Sequence, residues 1–431
     1  MRRITKQIFL ITVAIVALSF VSVLVFKDTT TSGFSISPPV NTPFNIATIY
    51  PFENTSFSGT DYVVYVNKDL NNNSIVTRYK IDDGTTTTIS SATQAKPALI
   101  YSDDNYANSD FVCWYDFRNT QNNEKKMDIY YYKVSNTTEY RLTSAPEDRS
   151  ELALLGNYIA YAEYGSANPG VYIKDLTSAN QPQRIHNFTK AQCINLVLGT
   201  YSGNTVVVFE DQNGTTSDIK MYNIGTDTTT TVANSIAQHE MIPCIQNDRI
   251  YFTSINRSNP PKPWPKDELF VTSGSLREYV ISSQTTYTVC TFNNGEFAIS
   301  VPNPNSADYV VYKKISKDNN NNDVASLYIY NPSSQSSTQI ASQTGIGSMT
   351  ITIVANCCYG KRIVYSKETS DGSDENVYCY DASSSTTTTI SSSSNYESFA
   401  KISGSTITWT DIQITTSPPS CIKTLRGYIV Q

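Results

Sequence analysis

Four acidic residues recur at one place in a repeated pattern. Asp116, Glu163, Asp211 and Asp411 each stand two positions after an aromatic residue within a short apolar run: Trp114, Tyr161, Phe209 and Trp409. Residues two apart on a strand share a face, so equivalent acids in repeated units would be presented on one rim. Two carboxyls at a suitable separation are required for glycoside hydrolysis, and several together would coordinate a hard cation such as calcium. A plainer role is equally available, because Asp at a strand end accepts hydrogen bonds from the adjoining turn. The run Asp211-Gln-Asn-Gly-Thr215 lacks the later acidic ligands of a calcium loop and reads as a turn.

Nucleophilic chemistry has little to draw on. The chain holds two histidines, His186 and His239, and no G-x-S-x-G elbow. His239-Glu240 begins a zincin-like pair but lacks the second histidine that zinc would need. Both histidines are expected in turns or at the surface. Eight cysteines form no C-x-x-C motif, which disfavours zinc ribbons and thioredoxin-type chemistry, while their even number permits disulfides in an exported chain. Adjacent Cys357 and Cys358 are expected to face opposite sides of a strand. No catalytic, cofactor or metal residue is assigned. The most conspicuous contact residue is Trp264, inside the Pro-rich insertion Asn256–Lys266, which cannot join a ladder.

The elements that would position these residues are short strands. Tyr62–Tyr65, Val112–Trp114, Tyr158–Tyr161, Val206–Phe209, Ile250–Phe252, Tyr309–Tyr312, Ile363–Tyr365 and Ile407–Trp409 recur at intervals of 43 to 60 residues, about 49 on average. A period of that size, with several strands per unit, is the signature of propeller blades. Each aromatic strand is preceded by another apolar run, such as Leu152–Leu155 or Phe297–Val301. Most are succeeded by a third strand centred near Tyr79, Tyr132, Ile173, Tyr222, Tyr330 or Tyr380, and by a Thr-rich fourth, as at Thr85–Ile89, Thr228–Val232 and Thr386–Ile390. β-Branched residues with one solvated face suit an outermost strand. The pattern predicts an all-β propeller of about eight four-stranded blades, seven being the alternative, over residues 44–431. The last unit lacks its fourth strand, which Phe34–Ser37 is expected to supply.

In the second unit, Cys113-Trp-Tyr-Asp-Phe-Arg-Asn119, Met127-Asp-Ile-Tyr-Tyr-Tyr132 and Tyr140-Arg-Leu-Thr143 resemble TolB-like propeller repeats, which are common in prokaryotic and notably archaeal surface proteins. Other units keep the middle strand, as at Ser217–Tyr222 and Glu375–Tyr380, but lose the Asp-x-Arg-Asn turn. The resemblance implies a propeller used for binding or display and carries over no catalytic residue.

Residues 1–7 contain three basic side chains, and Ile8–Phe26 is a run of 19 residues without a charge, Gly or Pro. About 20 apolar residues span a bilayer as a helix, and basic residues ahead of the span place the remainder of the chain outside. The expectation is an uncleaved transmembrane signal anchor over 8–26, a cytoplasmic segment 1–7, a Thr/Ser/Pro-rich linker 27–43 and an extracellular propeller tethered to the cell membrane. N-x-S/T sequons at Asn54, Asn72, Asn136, Asn187, Asn213 and Asn256 are candidate N-glycosylation sites. A formal charge of −6 without a basic cluster disfavours nucleic-acid binding.

From these features the expected function is a non-enzymatic adhesion, scaffold or envelope-assembly module that contacts surface proteins or glycans. The alternatives are a glycan-processing enzyme using the rim carboxylates and a self-associating subunit of a surface filament or lattice.

Overall fold

The computed structural model describes residues 40–49, 55–58, 61–68, 74–90, 97–98, 107–119, 127–144, 148–164, 168–188, 195–213, 216–256, 273–293, 296–301, 309–345, 351–353, 357–369, 374–416 and 419–430. Contacts divide the chain into a unit Met1–Ser37 and a unit Pro38–Gln431.

The second unit is built from antiparallel strands in runs of four. Six sheets hold four strands each, in chain order from inner to outer, and a seventh holds nine. The nine-stranded sheet is two blades joined by one parallel bridge, Glu375 to Tyr396. Its first blade has an inner strand broken into Ile351–Thr352 and Cys358–Tyr359, both paired with Arg362–Glu368. Eight blades result, over residues 55–88, 97–141, 148–187, 196–233, 238–292, 297–344, 351–391 and 396–429. The Thr-rich runs form outer strands, Thr86–Thr88, Thr228–Ala233 and Thr386–Ser391, largely exposed as their position requires.

The fourth strand of blade 8 is Phe44–Ile49, antiparallel to Pro419–Ile429. This corrects the expected closing segment Phe34–Ser37, which lies outside the described residues. Phe44 fits because its partner is Gly427: a Cβ there would stand 2.5 Å from Phe44 Cζ. First and last strands of the blade unit are thereby hydrogen-bonded to each other.

Burial obeys the repeat. The eight aligned aromatics, Tyr65, Trp114, Tyr161, Phe209, Phe252, Tyr312, Tyr365 and Trp409, are all 3% exposed or less. In four blades the aromatic stacks on a tyrosine directly across the ladder: Trp114 on Tyr130, Tyr161 on Tyr172, Tyr312 on Tyr328 and Tyr365 on Tyr378. Such pairs add to sheet stability beyond their buried area. The apolar clusters lie between blades: one runs from Val64 through Trp114 to Leu154, the next joins Ala162 to Val207, and so on to a last one that packs Leu425 against Val63 and Tyr65. Blade 8 is thus packed against blade 1.

The expected transmembrane helix, the membrane partnership and the single-pass topology are not supported. No helix of the described residues is long and apolar enough to cross a membrane, and the helical element among them is the 3-10 turn Val134–Asn136. The segment 8–26 itself lies outside the described residues.

The expected disulfides are likewise not found among the described residues. Cys290 and Cys379 are thiols, and Cys357 and Cys358 have Sγ atoms 3.3 Å apart, a hydrogen-bond distance. Their meeting also corrects the expectation that they face opposite sides, because the strand begins at Cys358 and pleat alternation does not extend to Cys357.

Candidate functional site at blades 3 and 4

In each blade the residue two places after the aromatic shares the aromatic's face, and the residue one place after it lies on the other face. In blade 4 those faces meet different neighbours. Asp211, on the second strand Asn204–Asn213, lies against His186 of the outer strand of blade 3. Glu210 accepts a hydrogen bond from the Ile242 amide of blade 5 at 3.4 Å. The rule holds further round, where Thr253 Oγ1 donates to the Ala298 carbonyl of blade 6 and Lys313 Nζ to the Ile351 carbonyl of blade 7.

The predicted rim carboxylates therefore have distinct surroundings. Asp116, fully buried, accepts hydrogen bonds from Trp114 Nε1 at 3.1 Å, the Arg118 amide at 2.8 Å and Arg118 Nη2 at 2.7 Å. Arg118 also binds Glu139 at 2.6 Å and lies over the Tyr130 ring. Asn119 completes the turn by donating to Asp128 and to Tyr130 Oη, each at 2.8 Å. This is the strand-capping role. Asp411 is similarly held, by Asn395 Nδ2 at 2.8 Å and by Arg426 Nε and Nη2 at 2.9 and 2.8 Å. Glu163 is half-buried and stands opposite Arg149 in the ladder of blade 3.

Asp211 differs in meeting a histidine. His186 Nε2 lies 3.1 Å from Asp211 Oδ1, and Lys220 Nζ, from the neighbouring strand, bonds the other carboxylate oxygen. Burial works against the Asp211 charge, but the proximity of His186 and the Lys220 hydrogen bond outweigh it and hold the carboxyl below its usual range. The His186 ring packs 5.0 Å from Phe209 and edge-on to Phe188 at 5.9 Å, and Phe188 stacks with Tyr164 at 5.7 Å. The side chain of His186 remains 17% exposed, while its Nε2 atom, facing Asp211, is buried. Both histidines lie in strands, contrary to expectation: His186 in Gln183–Asn187, and His239, only 3% exposed, in the inner strand Gln238–Gln246. Their strands alternate so that ring and carboxylate neighbours face an adjacent blade, which a single sequence does not display.

Two further acids escape the sequence pattern. Burial pushes Glu210 up to about 8, against hydrogen bonds from Asn195 Nδ2 at 3.1 Å and the Ile242 amide. Burial also pushes Glu240 up to about 7. The Ile242 amide reaches Glu210 because the inner strand bulges between Met241 and Cys244, with Ile242 at φ 52°. A left-handed β-branched residue is a costly conformation, and bulges of this kind re-aim backbone groups. The one available signal was adjacency: Glu210 immediately precedes Asp211.

Among the described residues, no group of three or more His, Cys, Asp or Glu is arranged to hold a metal ion. Trp264, Asn54 and Asn72 lie outside the described residues. Asn136, Asn187 and Asn256 are exposed, and Asn213 ends its strand.

No family model matches the chain, and no curated protein matches it. Solved structures do. Puromycin hydrolase, as the S511A mutant complexed with PGG, aligns over 86% of this chain and 61% of its own, at 12% identity and a TM-score of 0.50. A prolyl endopeptidase aligns over 86% of this chain and 52% of its own, at 10% identity and a TM-score of 0.51. Oligogalacturonate lyase in complex with manganese aligns over 87% and 99%, at 9% identity and 0.48. The chain thus spans about three fifths of the hydrolase and half of the endopeptidase. At these identities the likeness is one of fold, and it does not single out TolB or an archaeal source. The expectation of a non-enzymatic protein is not supported, since proteins whose propellers share this architecture include ones that are enzymes by their own names. The chain is a β-propeller of eight four-stranded blades.

Proposed function

We propose that the chain is a glycan-processing enzyme in which His186, oriented by Asp211, is the base. The observation that carries this reading is the 3.1 Å contact between His186 Nε2 and Asp211 Oδ1. With Asp211 3.1 Å from Nε2, a proton on that nitrogen leaves the other, Nδ1, as the lone-pair nitrogen. Lys220 offsets part of the Asp211 charge. Half-buried Tyr164, stacked on the core ring of Phe188, supplies the aromatic surface beside the pair against which the CH face of a sugar rests. A base of this kind serves hydrolysis, by activating water, and elimination, by taking a proton beside a uronate carboxylate.

The test is an assay of the purified chain on neutral and uronate oligosaccharides, reading both new reducing ends and unsaturated products. Turnover is expected for one class, and His186→Ala and Asp211→Asn are expected to lower kcat about 10²- to 10⁴-fold with the fold retained. Wild-type protein that releases neither product, or variants that turn over normally, would sink the reading.

A further inference from the structure

A second polar site lies on the opposite face of the propeller. The second-to-third strand connections and the residues around Asp211 and Glu240 mark one face, and the turns between inner and second strands lie at the other end of the same strands. There, between blades 4 and 5, Thr200, Tyr201, Ser202, Asn247, Asp248 and Ser282 line a shallow, open depression of about 400 Å³. Two tight turns build it: Ser202-Gly203, with φ of 49° and 78°, and Asn247-Asp248, with Asn247 alone at positive φ, 53°. The successive positive φ values of Ser202-Gly203 are the hairpin geometry that matches strand twist. Asp248 is fixed from blade 5 itself, its Oδ1 accepting the Ser282 amide at 2.9 Å and its Oδ2 the Ser282 hydroxyl.

We propose that this depression binds a neutral sugar residue of a glycan. None of its six lining residues is cationic, so phosphate, sulfate and carboxylate ligands have no counter-charge there. Four hydroxyls, one of them the Tyr201 phenol, an amide and a carboxylate give mixed donors and acceptors of the sort that vicinal sugar hydroxyls satisfy. Half-buried Tyr201 provides an aromatic face for the CH side of a pyranose. The volume sits at the small end of the roughly 300–1,000 Å³ typical of small-molecule sites, enough for one or two rings. The carboxylate keeps lone pairs after receiving two bonds from Ser282, and these are the acceptors a sugar diol would meet. This site is independent of the His186–Asp211 base and would anchor a polymer away from it.

The experiment is calorimetric titration and saturation-transfer NMR on the full chain with trisaccharides of glucose, mannose, galactose and N-acetylglucosamine, with trigalacturonate as the acidic control. At least one neutral trisaccharide is expected to bind more tightly than the control. Asn247→Ala and Asp248→Asn are expected to weaken it at least tenfold. Tyr201→Ala should abolish binding and Tyr201→Phe should retain it, a contrast that general unfolding would not produce. His186→Ala is expected to bind as wild type, which separates this site from the proposed base. Absence of binding to every neutral trisaccharide, tighter binding of trigalacturonate, or wild-type affinity in the Asn247 and Asp248 variants would each overturn the proposal.

Discussion

Two consecutive residues, Glu210 and Asp211, are driven in opposite directions by the blades they face. Asp211 is held ionised by His186 and Lys220, whereas Glu210 is held protonated by burial, up to about 8. The consequence for stability has a definite sign. An unfolded glutamate loses its proton near pH 4.3, so between that value and about 8 the folded state binds more protons than the unfolded one, and stability falls as pH rises. Urea unfolding is expected to show this decline between about pH 5 and 8, at no more than about 1.4 kcal/mol per pH unit from Glu210. Glu210→Gln should reduce it, leaving the contributions of Glu240, which acts in the same direction up to about pH 7, and of buried Glu375 and Glu397, which are shifted the same way. An unchanged slope in Glu210→Gln would show that the carboxyl is solvated. At Asp116 the prediction concerns a buried ion pair. Arg118→Ala would leave a fully buried carboxylate without its cation and is expected to cost about 3–5 kcal/mol. The double variant Asp116→Asn, Arg118→Met should recover much of that loss in the same unfolding assay.

Strands carry the repeat, and their irregularities carry its individuality. The bulge at Met241–Cys244 turns an amide to Glu210, and equivalent register shifts occur at Ser150–Leu152 and Ser398–Lys401. Inner strands of blades 3, 5 and 8 therefore enter the propeller with one residue extra, placing Glu240 and Glu397 at matching positions two residues before the left-handed Ile242 and Phe399. Burial raises the proton affinity of both acids. The closing strand supplies another element-scale test. Gly427→Ala would push a methyl into the Phe44 ring and is expected to cost about 1–3 kcal/mol by overpacking. In a Phe44→Ala background the same change should cost much less. Thermal unfolding of the four proteins of that cycle measures the coupling, and additive losses would mean that the two residues do not meet.

At the scale of the whole propeller, closure depends on hydrogen bonds between residues far apart in sequence. Phe44–Ile49 caps the strand Pro419–Ile429, and Arg426 reaches both Asp411 and Asn45. Removing residues through 49 would expose the edge of that strand, a template for pairing with another chain. The truncated protein is expected to unfold at lower temperature and to self-associate in light scattering, and a peptide spanning 44–49 added in trans should reverse both. A truncated protein that stays monomeric with unchanged unfolding would show that the strand is dispensable.

The amino-acid sequence by itself determined the blade and its period, because each blade is a local object, while the structure settled the count at eight rather than seven. An aromatic strand such as Tyr158–Tyr161, its apolar predecessor and its Thr-rich edge lie within about fifty residues and obey a period of two. The turn Asp116–Asn119 was legible for the same reason, its ion pairs lying inside one blade. Only the tertiary structure decided which residues share a site. His186 and Asp211 are 25 positions apart on different blades, and nothing in spacing says that the outer strand of one blade packs its histidine on the second strand of the next. Glu210 was passed over because a shift of one residue changes the face, and the face determines whether burial or a cation governs the proton. The closing strand was sought at Phe34–Ser37 and found at Phe44–Ile49 because many short apolar runs suit an edge, while only one places a ring over Gly427.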